Sequence, residues 1–168
     1  SENVAIGYQA GYSNLGAPGG VAIGNLAMYS NVSGYYNVAI GDRALQSNTS
    51  AYSNVAVGSF SMNSNTTGTG VALGASSLRS NTTGSSNTAV GKDAMLLNTE
   101  GLLNTAVGHQ ALNKNTTGNN NTVVGINSML DNTTGIQNSA FGTDALPRNT
   151  TGGYNTALGG YALTTNTT

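Results

Sequence analysis

The apolar and polar residues of this chain follow one pattern that recurs ten times. Its centre is a mainly apolar triplet that follows Asn in most copies and precedes Gly, as in Asn37-Val38-Ala39-Ile40-Gly41 and Asn87-Thr88-Ala89-Val90-Gly91. The Gly returns after 17 residues in eight of the nine intervals, and after 16 residues between Gly58 and Gly74. A fixed period of this kind indicates a stacked repeat architecture. The predicted turn glycines are Gly7, Gly24, Gly41, Gly58, Gly74, Gly91, Gly108, Gly125, Gly142 and Gly159.

One repeat, numbered from its first Asn, has the consensus N-T-A-V-G-x-x-A-L-x-x-N-T-T-G-x-x. Position 3 is Ala except at Val123, position 4 is always apolar, position 8 is Ala or Ser, position 9 is Leu or Met except at Gly11, and position 12 is always Asn. Neither apolar piece has the roughly 12 residues that an isolated helix needs. The first piece is mostly β-branched before a Gly, which predicts a strand that ends in a turn. The A-L piece predicts a second strand, and N-T-T-G a second corner.

The pattern therefore predicts an all-β fold, a parallel β-solenoid or β-roll of ten 17-residue coils stacked about 4.8 Å apart. Residues 1–168 form a single repeat array in this interpretation. One further Gly would join Thr168 to Ser1 in register, and neither end carries the polar cap that soluble solenoids need. We expect the chain to be a segment of a longer array, or a unit that stacks end to end into a filament.

The low charge of the chain follows from stacking. Only 7% of the residues are charged, against about 25% in a typical domain. Like charges in register on neighbouring coils would repel, whereas identical Asn and Thr side chains form hydrogen-bonded ladders. The five Lys and Arg residues are too few and too dispersed for a nucleic-acid partner. No apolar run approaches the roughly 18 residues that cross a bilayer, so we expect no membrane insertion in this segment.

Two apolar rows run along the predicted rod, at positions 3 and 4. Neighbouring strand residues point to opposite faces, so a thin coil encloses only one of these rows. Either the coil is flattened so that its own strands cover each other, or identical chains pack along the second row. We favour packing of identical chains, with a trimer as the closed form.

The titratable residues do not form a constellation that supports chemistry. His109 follows a turn Gly and has Lys92 at the same position of the previous coil, which favours a solvated turn residue. Asp93 and Asp144 share position 7 but lie three coils apart, about 14 Å, beyond the roughly 5 to 10 Å of a glycosidase pair. We therefore predict no enzyme, no catalytic residue, no metal ligand and no cofactor. The remaining carboxylates are Glu2, Asp42, Glu100 and Asp131.

The Asn-Thr-Thr row has three interpretations. It can form a ladder and a turn, it can carry glycans, or it can bind ice through regularly spaced Thr residues. Adjacent Thr residues pointing opposite ways and an interruption at Glu100 disfavour ice binding. The Thr hydroxyls are also candidates for O-linked sugars. The Asn-x-Ser/Thr glycosylation pattern occurs at Asn31, Asn48, Asn65, Asn81, Asn115, Asn120, Asn132, Asn149 and Asn166.

Aromatic residues concentrate near the beginning of the chain. Several of these residues occupy turn positions 6, 16 and 17, where side chains should face outward. Such rings stack on sugars or shield turns, and the sequence does not separate these two roles. The cluster consists of Tyr8, Tyr12, Tyr29, Tyr35, Tyr36, Tyr52 and Phe60.

The strand-and-turn motif of residues 37–41 and 87–91, with Ala or Ser three residues after the Gly, resembles the head repeats of trimeric autotransporter adhesins. The longer variant with N-T-T-G is similar to repeats of viral tail-fibre-like proteins and bacterial surface fibre proteins. The resemblance covers the whole chain and implies a left-handed β-roll, usually trimeric, on a cell or virion surface. The adhesin repeat is about three residues shorter, and the additional residues surround N-T-T-G.

We therefore expect a structural rod of an extracellular fibre or filament, such as a surface adhesin, a virion fibre or a matrix filament. Its expected partners are further copies of itself, in a trimer or an end-to-end filament, and surface glycans or other extracellular ligands. The alternative function is a ligand-binding module that uses the regular Asn/Thr face for glycans or ice.

Overall fold

The computed structural model describes residues 2–14 and 16–168 and confirms the predicted fold class. It is a β-solenoid in which each repeat contributes one short strand to a single ten-stranded sheet. Each strand pairs in parallel with the strand of the next repeat, so that Ala39 lies beside Ala22 on one side and Ala56 on the other. The strands are β1 (Val4–Ile6), β2 (Val21–Ile23), β3 (Val38–Ile40), β4 (Val55–Val57), β5 (Gly70–Leu73), β6 (Asn87–Val90), β7 (Thr105–Val107), β8 (Thr122–Val124), β9 (Ser139–Phe141) and β10 (Thr156–Leu158).

The predicted second strand of each coil is wrong, because the A-L piece folds as overlapping turns. In the third coil Ala44 N–H donates to Gly41 O at 3.3 Å, and Asn48 N–H donates to Leu45 O at 3.2 Å. Arg43 and Leu45 have φ of 54° and 50°, the sign that the third residue of a type II turn requires. This alternation of backbone sign turns two neighbouring side chains, Ala44 and Leu45, into the interior. In a strand, one of them would face solvent.

Glycine is required at position 5, where the strand ends. Gly41 has a φ of 137°, a region that side chains rarely enter. A Cβ placed on Gly41 would lie 2.5 Å from the carbonyl oxygen of Gly58 on the next coil. The conformation and the close stacking of the coils therefore both depend on the missing side chain.

The interior consists of small and medium apolar side chains from three positions. Ala at position 3, Ala or Ser at position 8 and Leu or Met at position 9 form one buried cluster that runs through the coils. From the second to the ninth coil the residue type at position 9 alternates between Met and Leu, so that Met62, Met95 and Met129 each lie between two branched side chains. The alternating series is Met28, Leu45, Met62, Leu78, Met95, Leu112, Met129 and Leu146.

Two ladders of buried Asn side chains flank this apolar interior; the position-12 ladder is the one that the ladder interpretation of the Asn-Thr-Thr row predicts. At position 12, Asn98 Nδ2 donates to Asn81 Oδ1 of the previous coil at 2.8 Å and to the carbonyl of Gly101 at 3.2 Å. At position 1, Asn104 uses both its backbone N–H and its Nδ2 to reach Asn87 Oδ1, at 3.0 and 3.3 Å. The ladders satisfy the polar groups that each corner of the coil brings inside.

Candidate functional site: an interaction surface

The outer face of the ten-stranded sheet carries two rows of side chains. Position 3 points inward on every strand, so positions 2 and 4 point outward, and from β2 to β10 they are half-buried or exposed while position 3 is buried. The position-4 row is Ile6, Ile23, Ile40, Val57, Leu73, Val90, Val107, Val124, Phe141 and Leu158. The position-2 row is Val4, Val21, Val38, Val55, Val71, Thr88, Thr105, Thr122, Ser139 and Thr156.

The position-4 row exposes apolar surface even in the middle of the rod. Ile40 is 36% exposed and Phe141 38% exposed, although each has a neighbouring coil on both sides. The alternative in which a flattened coil covers both of its apolar rows is therefore wrong. Within one chain, the second apolar row faces outward without a cover.

The position-2 row divides the rod into two halves. It is Val in β1 to β5 and Thr or Ser in β6 to β10. The first half of the sheet face is thus aliphatic in both rows, and the second half combines an apolar row with a hydroxyl row. The position-4 row was predicted from the sequence as a second apolar row, whereas position 2 was given no role. Strict alternation along the strand nevertheless indicates that the two rows share a face.

The corner at positions 16 and 17 extends this apolar surface around the edge of the sheet. It carries exposed aromatic and aliphatic side chains on both halves of the rod. These residues are Tyr35, Tyr36, Tyr52, Leu102, Leu103, Ile136 and Tyr154.

Charged residues lie on the other side of the coil. After Glu2, every charged residue occupies position 6, 7, 10, 11 or 14. Ion pairs form on that side, where Lys114 Nζ lies 2.8 Å from Asp131 Oδ1 and Lys92 Nζ lies 4.0 Å from Asp93 Oδ2. We call positions 16, 17, 2 and 4, from residue 3 onward, the charge-free face. Numbering the residues within the repeat is enough to identify this face in the sequence.

The structure places most of the predicted glycosylation sites inside the coil. The Nδ2 atom that would carry the glycan is already a hydrogen-bond donor in the buried ladder, as in Asn115, which donates to Asn98 Oδ1 at 2.8 Å and to Gly118 O at 2.9 Å. Attachment of a sugar to such a side chain is incompatible with the folded coil. The fully buried sites are Asn31, Asn48, Asn65, Asn81, Asn115, Asn132 and Asn149.

The two remaining glycosylation sites differ from this group. Asn166 is half-buried and joins the same ladder through Asn149 Oδ1, at 3.2 Å. Asn120, at position 17, is exposed. Glycosylation of Asn120 stays a prediction.

The two Thr positions of the N-T-T corner have different surroundings. At position 13, Thr116 Oγ1 donates to the carbonyl of Thr133 on the next coil at 3.0 Å, and the same bond recurs along the rod. At position 14, Thr83, Thr117 and Thr134 are exposed. Only one of the two hydroxyl rows is therefore free to meet a ligand.

Apart from the two ion pairs, the charged residues of the described part of the chain do not gather into a cluster. His109 is exposed in its turn. Across residues 2–14 and 16–168, no group of three or more His, Cys, Asp or Glu side chains is placed to hold a metal ion. The described residues also include no helix with the length and apolar character needed to cross a membrane. The prediction that the chain is not an enzyme stays a prediction.

The aromatic cluster forms stacks between neighbouring coils. Tyr12 and Tyr29 stack with centroids 5.2 Å apart, and Tyr35 and Tyr52 stack at 5.1 Å. Phe60 lies between two guanidinium groups, those of Arg43 and Arg79, at 5.3 and 5.1 Å. Each stack covers the turns of two consecutive coils, so the rings have a structural role whether or not they also meet a ligand.

No protein-family model matches the sequence, and neither the curated proteins nor the solved structures give a match. The resemblance to adhesin and tail-fibre repeats therefore rests on the motifs alone. The trimer, the surface location and the filament also stay predictions.

Proposed function

We propose that this chain is a structural repeat rod of an extracellular fibre, and that it packs against identical copies along its charge-free face. The observation that carries the proposal is the position-4 row, which is apolar in every coil from Ile6 to Leu158 and has six exposed and four half-buried members. A contiguous apolar surface of this extent is unusual on a protein that works alone and marks an interaction site.

The spacing of the face favours a second copy as its partner. Its side chains repeat at the coil spacing of about 4.8 Å over ten coils. A partner keeps contact over the whole length only if its own surface has the same spacing, and an identical rod meets that condition. The absence of charge on the face also disfavours an acidic or basic partner.

The size of the face is sufficient for stable association. Ten coils give a length of about 48 Å, and positions 17 to 4 span about 15 Å along the chain. The resulting area, about 700 Å² on each partner, is close to the ~800 Å² that standard specific interfaces bury on each side.

The hydrogen bonds inside the coil support the proposal that the rod has a mechanical role. The position-12 amides are hydrogen-bonded from coil to coil, from Asn31 to Asn166. Together with the Thr hydroxyl row, they link each coil to the next through side chains as well as through the backbone. The extracellular location is supported by the motif resemblance.

Sedimentation equilibrium of the 168-residue chain, over a range of concentrations, tests the proposal. We expect a mass above that of one chain. A closed trimer would support the adhesin resemblance, and a mass that grows without limit would support end-to-end filaments. A monomer at all concentrations would refute packing along the charge-free face.

A pair of matched variants locates the contact. In Leu73→Lys/Val124→Lys, two ammonium groups are placed on the position-4 row, where the side chains already face outward, and the chain should become monomeric with unchanged circular dichroism. The control Thr83→Lys/Thr134→Lys adds the same charge at position 14, where the chain already carries Glu100. It should sediment like the original chain, and equal behaviour of the two variants would contradict the assignment of the interface.

The alternative, a ligand-binding module on the Asn/Thr face, has narrower support. The Asn row is interior and the position-13 hydroxyls are occupied, so a glycan or ice surface would rely on the single row at position 14. Thermal hysteresis and a glycan array test it, and a signal in either that is lost in Thr117→Val/Thr134→Val would support it.

A further inference from the structure

We propose that the stacked tyrosines of the first three coils are a site of oxidative cross-linking, at which a peroxidase joins neighbouring coils through a carbon–carbon bond. Six of the eight tyrosines lie within residues 8–52. Four of them form two pairs that occupy the same repeat position on consecutive coils.

The two pairs are held face to face. Tyr12 and Tyr29, at position 10, are inclined by 8°, and Tyr35 and Tyr52, at position 16, by 5°. The solenoid backbone holds the two residues of each pair side by side on neighbouring coils, because Ser13 N–H donates to Tyr29 O at 3.1 Å and Ser53 N–H donates to Tyr35 O at 3.0 Å. The rings can rotate, but the two rings of each pair stay within reach of each other as long as the coils remain stacked.

The same rings are open to an oxidant in solution. Tyr12 is 65% exposed, Tyr35 38% and Tyr52 48%, and Tyr29 is half-buried. The side chains that would otherwise compete for oxidation are missing or enclosed, since the chain has no Cys and no Trp. Its four Met residues are all buried in the core: Met28, Met62, Met95 and Met129.

The reaction balances with hydrogen peroxide as the oxidant and a haem peroxidase as the catalyst. Each phenol loses one electron and one proton, which gives a phenoxyl radical with spin density on the ring carbons next to the oxygen. Two such radicals combine to form the bond between these carbons. The hydrogen on each bonded carbon then moves to the phenolic oxygen and restores the aromatic ring. In total the pair loses two hydrogen atoms, and one peroxide is reduced to two waters.

The product would be a covalent staple between coils. A bond from Tyr35 to Tyr52 closes a loop of one repeat, and a bond from Tyr12 to Tyr29 closes the loop before it. Like a disulfide, such a bond restricts the unfolded chain. It would fix the first three coils without cysteine. Tyr35 and Tyr52 belong to the charge-free face, so their bond has to form before that face associates, whereas Tyr12 and Tyr29 lie outside it.

The test is treatment of the dilute, folded chain with horseradish peroxidase and hydrogen peroxide, followed by proteolysis and mass spectrometry. We expect peptides joined within one chain at Tyr35–Tyr52 and Tyr12–Tyr29, each lighter by two hydrogens. Tyr154 and Tyr161 are the internal controls, since both are exposed and the described residues offer neither a stacked ring.

Two further samples make the result specific. Tyr52→Phe should lose the Tyr35–Tyr52 product and keep Tyr12–Tyr29, and the chain unfolded in urea should lose the preference for both pairs. Products spread evenly over all exposed tyrosines, products found only between chains, or no cross-linked product would overturn the proposal.

Discussion

The two Asn ladders inside the coil look alike but differ in the groups that donate their hydrogen bonds. At position 12, the side-chain oxygen of each Asn is reached from the neighbouring coil by the side-chain Nδ2 of the next Asn, as between Asn98 and Asn115. At position 1, the oxygen is reached by the backbone N–H of the next residue as well, as between Asn87 and Asn104. A backbone donor is present whichever residue occupies the position.

This difference explains where the chain departs from its consensus. Position 1 is Gly in two coils, and there the backbone alone completes the bond: Gly20 N–H donates to Asn3 Oδ1 and Gly70 N–H to Asn54 Oδ1, both at 2.7 Å. Position 12 is Asn in every coil. We infer that the position-12 ladder is the stricter requirement of the fold.

The largest effect should come from Asn98→Leu, which breaks the position-12 ladder at its centre with a side chain of similar volume. Asn81 Oδ1 and one N–H of Asn115 would be left buried without a partner, so we expect a loss of about 4 kcal/mol in the free energy of unfolding. Urea unfolding monitored by circular dichroism measures it. The exposed Thr83→Ala is the control and should change stability by less than about 0.5 kcal/mol.

A smaller loss, about 2 kcal/mol, is expected for Asn104→Gly in the position-1 ladder, because the Gly N–H still satisfies Asn87 Oδ1 while Asn121 N–H loses its acceptor. The same urea titration compares it with Asn98→Leu. Equal losses in the free energy of unfolding for the two variants would refute the distinction between the ladders.

Thr116→Val removes a hydroxyl from the row beside the position-12 ladder and keeps the shape of the side chain. It deletes the 3.0 Å bond to Thr133 O, whose carbonyl still accepts from the backbone N–H groups of the coil before it. We expect a loss of about 1 kcal/mol. Hydrogen exchange of the amides at positions 13 to 15 should accelerate in this coil only, and an unchanged rate there would show that the hydroxyl row carries no stability.

The smallest effect, opposite in sign, should come from Gly20→Asn, which restores the consensus between Asn3 and Asn37. A Cβ at Gly20 would lie 3.2 Å from Met28 Cε and 3.3 Å from Asn3 Oδ1, both ends of flexible side chains. The added amide can donate to the ladder, so we expect a gain of about 0.5–1 kcal/mol. A decrease in the thermal midpoint would mean that the packing around Met28 cannot accommodate the restored side chain.

The fold could be predicted from the sequence because the repeat is marked by residues that few other residue types can replace. Gly at position 5 and Asn at position 12 are needed for close stacking, and neither can be exchanged for chemically similar residues. The position-9 backbone was not predictable in the same way. Leu45 adopts a positive φ that its type gives no reason to expect, so A-L looks like a strand and folds as a turn.

The candidate site was predictable in part. The position-4 row was visible as a second apolar row, and its outward direction follows from strand alternation. The glycosylation pattern at residues such as Asn81 was misleading because a local tripeptide carries no information on burial. The ladder that encloses this amide is formed by Asn65 and Asn98, which are 16 and 17 positions away. The packing of a second copy on the charge-free face stays a prediction, because no contact within one chain determines it.

Because Met and Leu alternate at position 9, the core side chains repeat every two coils, whereas the backbone repeats every coil. From Met28 to Leu146 each coil repeats the same strand and turns, but the core side chain at position 9 recurs only after two coils. Deleting one coil would place two thioethers, or two branched side chains, against each other, whereas deleting two would restore the sequence of shapes. Shortening or lengthening the rod in even steps should therefore disturb its interior least, so that its natural unit of length is a pair of coils.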